Sequence, residues 1–441
     1  MRRILILGGG TGGTLVANRL RRALAEDEAE IIVVDEDDQH VYQPGLLFVP
    51  FGLADPGKIT RPRHRQLHAG VGFRRAAIER VDLGSETVVL GDGTTLGYDV
   101  LVVATGARLL PEETEGLAGT WPERVHTFYT PAGAASLRDA LAAFEGGRIV
   151  INIVDMPIKC PVAPIEFSFL ADWYFTRRGL RDRVDITLVT PLDGAFTKAV
   201  CNRELSSLLT DKRIQVVTEF NTGEVVGAGA GGTGTGGTGT GGTGRLVSFD
   251  GREVGFDLAV MIPLHGGQAY VSRSPGLGDA LGFIPTDERT LQSKARPEVF
   301  VIGDAADIPT SKAGSVAHFE GEVLVGNILH FLAGEPLEPA FDGHTNCFIE
   351  SGFGKALLID FNYDVEPLTG HFPSRIGLPL LKQSRLNHAG KLAFQWIYWH
   401  ALLPGRDLPG VGSAMPERGK TGLPVNGAAA AAVAAGHDRA S

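Results

Sequence analysis

"ILILGGGTGGTLVANRLRRAL", residues 4–24, decides the fold. Four apolar residues read as a strand, a glycine turn follows, and the remainder has helical periodicity. Gly8, Gly10 and Gly13 stand in the frame G-x-G-x-x-G between those elements, and Asp35 closes the next strand, "EIIVVDEDD" (30–38). Each part has a task at a dinucleotide. The glycines let backbone amides approach a pyrophosphate at a helix N-terminus, and the acid accepts from a ribose hydroxyl. A ligand-free tight turn uses glycine too, but strand, helix and acid in this order favour the dinucleotide.

Working outward, buried-strand patterns recur at "YDVLVVATGA" (98–107), "RIVINIV" (148–154), "RVDITLVTP" (183–191), "FDLAVMIP" (256–263) and "RPEVFVIGDAAD" (296–307). A helical pattern at "PAGAASLRDALAAF" (131–144) falls between two of them. This alternation predicts an α/β fold with parallel, Rossmann-like layers. The expected division is a discontinuous first dinucleotide domain over 1–110 and 250–333 and a second Rossmann-like domain over 111–249. A flexible Gly/Thr loop (227–244) belongs to the second domain, residues 334–405 form a separate C-terminal region, and 406–441 form a disordered tail.

With 441 residues, 43% of them apolar and 21% charged, the chain has material for several cores. A formal charge of −10 argues against a nucleic-acid partner. The chain runs from Met1-Arg2-Arg3 straight into a strand, which predicts a cytoplasmic protein without a signal peptide. Cys160, Cys201 and Cys347 are too few for a disulfide scaffold, so an oxidised pair among them would be catalytic. No metal-ligand pattern is read, and no apolar run is long enough to span a bilayer.

A second stretch, "NIVDMPIKCPVAPIEF" (152–167), repeats the strand-to-helix turn with its glycines gone. In the fingerprint frame Lys159, Pro161 and Pro164 replace glycine, Cys160 lies between, and Glu166 takes the terminal acidic position. Side chains then block the backbone and proline removes amide donors, so a nicotinamide dinucleotide is a poor ligand for this turn.

The A-T-G turn at Thr105-Gly106 and the G-D pair at Gly303-Asp304 resemble the two-dinucleotide flavoprotein reductases, of glutathione-reductase-like architecture. That resemblance implies FAD, with Asp304 at the ribityl chain, Gly303 giving clearance, and Lys312 placing positive charge by the flavin. "KCPVAPIEFSFLADWYF", "TPLDGAFTK", "SKAGSVAHFE" and "CFIESGFGKALLIDFNY" closely resemble the sulfide:quinone oxidoreductase family, over residues 1 to about 405 without the Gly/Thr loop. The resemblance implies a Cys160–Cys347 redox pair that oxidises sulfide and passes two electrons through flavin to membrane quinone. It also implies a quinone site at Lys391 and Phe394, which share a helix face at i, i+3. A third family cysteine is missing near "HTFYTP" (126–131), which leaves a covalent flavin link without a residue to carry it. Glu166, His126 and His265 are candidates for proton transfer, and each reads equally well as a structural residue.

"AGKLAFQWIYWHALL" (389–403) combines apolar faces and aromatics, and the flanking Arg375, Lys382 and Arg385 are basic. Those features fit a helix lying in a membrane surface, or else a core or dimer-interface helix. The expected protein is a peripheral one on the inner face of the cell membrane, with sulfide and quinone as partners and a homo-oligomer left open. The competing readings are a flavocytochrome-type sulfide dehydrogenase, a type II NADH:quinone oxidoreductase, and a flavin-binding interaction protein without turnover.

Overall fold

The structure is a computed structural model and describes residues 1–120, 124–227, 244–408 and 411–421. Along the chain, β1 (Arg2–Leu7) leads into α1 (Thr11–Ala23), followed by β2 (Ala29–Asp35), β3 (Val71–Arg75) and β4 (Val100–Val103). Then come β5 (Val125–His126), α2 (Pro131–Ala143), β6 (Gly147–Ile153), α3 (Ala163–Arg177), β7 (Val184–Val189), α4 (Ala199–Asp211), β8 (Ile214–Val217) and β9 (Leu258–Ile262). The chain closes with β10 (Val299–Val301), α5 (Gly314–Ala333), the hairpin β11 (Thr345–Gly352) and β12 (Lys355–Phe361), and α6 (Arg385–Ile397).

Two five-stranded sheets result. The first has the order β10-β4-β1-β2-β3 and the second β5-β9-β6-β7-β8, each parallel throughout. Buried on both faces, the cores of β1, β4, β6 and β9 are mostly apolar, rich in Ile, Leu and Val and without alternation. In both sheets the β–α turn of the central unit, β1 to α1 and β6 to α3, lies at the carboxyl ends of the strands, where such folds take ligands.

Two boundaries differ from expectation. Residues 258–262 belong to the second sheet, because β9 is inserted between β5 and β6, and Glu253–Phe256 pairs with the strand Gly244–Ser248 of the second domain. The return to the first domain therefore falls after Ile262. Residues 411–421 are also structured. Lys420–Thr421 pairs with the strand Thr369–Phe372, and the Lys420 ammonium lies 2.5 Å from the fully buried Asp360 carboxylate. A segment with a buried ion pair has reason to stay ordered. Residues 228–243, most of the Gly/Thr loop, and 422–441 lie outside the described residues.

Candidate active site

The first glycine loop is built for close approach. A Cβ on Gly13 would sit 1.8 Å from the Gly8 carbonyl oxygen, and Gly8 has φ of +91° with Ala104 against it. These two glycines are demanded by the turn itself. Gly10 differs, since nothing lies within 4 Å of its would-be Cβ, and it faces open cavity. Among the described residues the amides of Thr11, Gly12 and Gly13 have no protein acceptor, so they are free to meet an anion at the start of α1. Asp35 ends β2 at the same cavity, accepting from the Gly9 amide at 2.7 Å and forming an ion pair with the Arg63 guanidinium at 3.0 Å.

The second loop is filled. Pro164 fits the first turn of α3, where its missing N–H would have been orphaned anyway. The Cys160 amide donates to the Lys312 carbonyl at 2.7 Å, and the Ala163 amide to the Cys160 carbonyl at 2.9 Å. With Pro161 and Pro164 lacking donors, little is left for a phosphate. Cys160 is held at φ of +50°, the left-handed region that a non-glycine residue rarely enters.

One continuous cavity of about 680 Å³ joins these parts. Its wall takes in Gly8, Gly10, Asp35, Thr105, Gly106, Gly303, Asp304 and Lys312, then Cys160, Glu166 and Cys347, and finally Lys391 and Phe394. Cys347 reaches it from β11, where it pairs with Ile359 of β12. All three cysteines are free thiols in this structure. Burial pushes the Cys160 thiol far up, and the Glu166 carboxylate and Cys347 add to it. Burial, then Glu166, pushes Cys347 up to about 12. In the reduced state both sulfurs are therefore protonated and weakly nucleophilic near neutral pH.

Glu166 lies in the first turn of α3, fully buried, where its carboxylate accepts from the Glu350 amide at 2.6 Å and from the Lys391 ammonium. Burial raises its pKa and Lys391 opposes that rise. Lys312 donates to the carbonyl oxygens of Asp304 (2.9 Å) and Ala306 (3.0 Å). Burial raises the Asp304 carboxyl, against the pull of Lys312 and Lys159.

Two histidine candidates lie elsewhere. His126 does not line the cavity; β5 turns its ring toward α2, where Nδ1 is 3.3 Å from Ser136 Oγ. His265 is buried with Nδ1 2.9 Å from the Pro263 carbonyl, and burial lowers its pKa to about 3, which makes it a poor base. Cys201 is buried on α4 in the core and is likewise absent from the cavity wall. The structure also adds two residues to which the sequence assigned no site role. Tyr129 and Tyr398 line the cavity, and the Tyr129 hydroxyl donates to the Lys159 carbonyl at 2.8 Å.

The C-terminal helix is divided. α6 is capped by Ser384, whose hydroxyl accepts from the Asn387 amide at 2.9 Å, and a π-helical turn (Tyr398–Leu402) continues it. Tyr398, Trp399 and Leu402 enter the core, whereas Leu386, Leu392 and Trp396 are exposed. The core and surface readings of this stretch thus each hold for one part of it.

Two five-stranded parallel sheets around one cavity define the two-dinucleotide-domain fold class. Residues 2–151 match the family model of pyridine nucleotide-disulphide oxidoreductases. Over nearly the whole chain the similarity is narrower in kind, to sulfide:quinone oxidoreductases. It is 25% identical over 410 residues to the mitochondrial sulfide:quinone oxidoreductase of Dictyostelium discoideum, covering 92% of this chain and 86% of that one. The mitochondrial enzyme of Mus musculus is 24% identical, with 91% and 86% covered. The crystal structure of the sulfide:quinone oxidoreductase from Aquifex aeolicus superposes with a TM-score of 0.74 at 19% identity, covering 92% of each chain. Among the described residues no helix is long and apolar enough to cross a membrane.

Proposed function

We propose that this chain is an FAD-dependent sulfide:quinone oxidoreductase, with Cys160 and Cys347 as the sulfur site and Lys391 and Phe394 at the quinone. The observation that carries the reading is the single cavity running from the open glycine loop, past both thiols, to Lys391 and Phe394. The orphaned amides at the start of α1 suit the pyrophosphate, Asp35 the ribose, and Thr105, Gly106, Gly303 and Asp304 the ribityl and ring end. Lys312 would set positive charge by the ring. FAD bound there supplies a two-electron acceptor for the sulfur half-reaction and a donor for the quinone half-reaction.

When the two cysteines are joined as a disulfide, hydrosulfide attacks one sulfur. The S–S bond breaks, the attacked cysteine keeps the new sulfur as a persulfide, and the other leaves as a thiolate. With both cysteine sulfurs tied up in the disulfide, the incoming hydrosulfide is the nucleophile. The leaving thiolate is favoured by the Lys391 ammonium, which acts on both cysteines. At the other end, Lys391 Nζ and Glu166 Oε1 hold a proton between them, where a quinone oxygen stacked by Phe394 would collect it. Leu386, Leu392, Trp396 and the 90%-exposed Ile376, flanked by Arg375, Lys382 and Arg385, suit docking on the membrane surface that supplies quinone.

The test is anaerobic. Sulfide added to the FAD-loaded chain bleaches the flavin band, decylubiquinone restores it, and NADH leaves it unchanged. Bleaching by NADH and not by sulfide would overturn the proposal.

A further inference from the structure

Tyr398 stands at a junction that the chemistry above does not use. It is the first residue of the π-helical turn that continues α6, the helix carrying Lys391 and Phe394. Its hydroxyl lies 2.8 Å from Thr11 Oγ1, at the first residue of α1, and 2.7 Å from His40 Nε2. The opposite ring nitrogen, His40 Nδ1, is 3.1 Å from the Gly9 carbonyl.

The direction of these bonds follows from the acceptor at one end. A carbonyl only accepts, so His40 Nδ1 carries the proton. Burial lowers the His40 pKa to about 3, so the ring is neutral in ordinary buffer and Nε2 offers a lone pair. Tyr398 therefore donates to Nε2, and its oxygen accepts from the Thr11 hydroxyl. One directed chain runs from Thr11 through Tyr398 and His40 to the Gly9 carbonyl, tying both ends of the glycine loop to the end of α6.

A second observation supports the connection. Thr11, Asn18 and Arg22 lie at i, i+7 and i+11, one face of α1. Asn18 Nδ2 donates to the Leu403 carbonyl at 2.9 Å, and the Arg22 guanidinium to the Pro404 carbonyl. This face of the dinucleotide helix thus grips the C-terminal segment from Tyr398 to Pro404.

We propose that Tyr398 is a positioning residue that couples cofactor occupancy of the glycine loop to the placement of the helix bearing Lys391 and Phe394. The inference rests on the FAD reading above. An anion against the Thr11 amide fixes that residue, Tyr398 passes the order to α6, and an empty loop loosens the helix.

Hydrogen exchange of the full chain, with FAD bound and removed, tests the coupling. In the wild type, removing FAD lowers protection across 385–403 by about ten-fold, while β6 and β7 stay protected. In the FAD-loaded Tyr398→Phe variant, protection there is already reduced, and the difference between loaded and empty chains falls to about one-fold. The KM for decylubiquinone rises by a larger factor than kcat falls. Thr11→Val, which breaks the same link from the cofactor side with the phenol still packed, collapses the difference equally. An FAD-dependent difference that survives in both variants, or is missing from the FAD-loaded and empty wild type, overturns the coupling. A wild-type chain that takes up no FAD overturns the functional reading instead.

Discussion

The loops after β1 and β6 occupy the same place in two sheets of the same kind, yet one is open and the other closed. After β1, glycines at the tight positions leave amides without acceptors beside empty space at Gly10. After β6, two prolines delete donors, the Cys160 and Ala163 amides are used internally, and a cysteine stands at positive φ. Under the proposed function, the difference is how one scaffold changes electron donor. With fewer backbone donors for a phosphate, the second loop puts a cysteine on the cavity wall where the first leaves open glycine backbone.

The largest expected effect breaks the comparison at its sulfur end. Cys160→Ser and Cys347→Ser each slow sulfide-driven flavin reduction by about 10³-fold or more in stopped-flow absorbance, because no disulfide remains to attack. Cys201→Ser, away from the cavity, changes that rate less than about two-fold.

The next effect sharpens the contrast within the open loop. Gly13→Ala meets the Gly8 carbonyl and destabilises even the FAD-free chain, by about 2–4 kcal/mol in denaturant melts. Gly10→Ala meets no protein atom, so the FAD-free chain keeps its melting point while FAD affinity falls by about ten-fold or more. Equal melting curves for the two variants would show that the loop geometry is misread.

Lys391→Met leaves the buried Glu166 without its cation and the quinone without its proton donor. We expect kcat/KM for decylubiquinone to fall about 10–100-fold, with a smaller loss in flavin reduction by sulfide. If the sulfide step suffers more, Lys391 serves the cysteines first.

The smallest effect concerns stability. Glu320, buried on α5, accepts from the Gly303 amide at 2.6 Å, and burial lifts its pKa from 4.5 to about 7. The fold holds this proton more tightly than the unfolded chain does. Its stabilising contribution is complete below about pH 4.5 and is lost as pH rises through about 7, by at most about 3 kcal/mol. Glu320→Gln keeps an acceptor for Gly303 and removes that loss. Its melting temperature relative to wild type should therefore climb between pH 5 and pH 8, and a gap that stays constant would contradict the assignment.

What was legible in the sequence was local. The glycine frame, Asp35, and the replacement of glycine by Lys159, Pro161 and Pro164 need only short windows, because turn chemistry is a matter of neighbouring residues. The proposed pairing of Cys160 and Cys347 came from family resemblance, since nothing in either window says that both residues line one cavity. The domain boundary was misplaced because β9 belongs between β5 and β6 by non-local pairing, which a buried run of apolar residues does not encode. His126 failed as a site residue because its ring points into the second domain's own packing. The order at Lys420 depends on Asp360, sixty residues earlier by number, and Tyr129 and Tyr398, though inside quoted stretches, have no spacing that marks them as cavity residues.

Mapping of the sulfur linkage in the oxidised chain tests the account most directly. The FAD-loaded protein would be alkylated without reductant, digested, and read by mass spectrometry. The account predicts a Cys160 peptide joined to a Cys347 peptide, directly or through added sulfur, with Cys201 alkylated alone. Three separately alkylated thiols in chain that still turns over sulfide would contradict it.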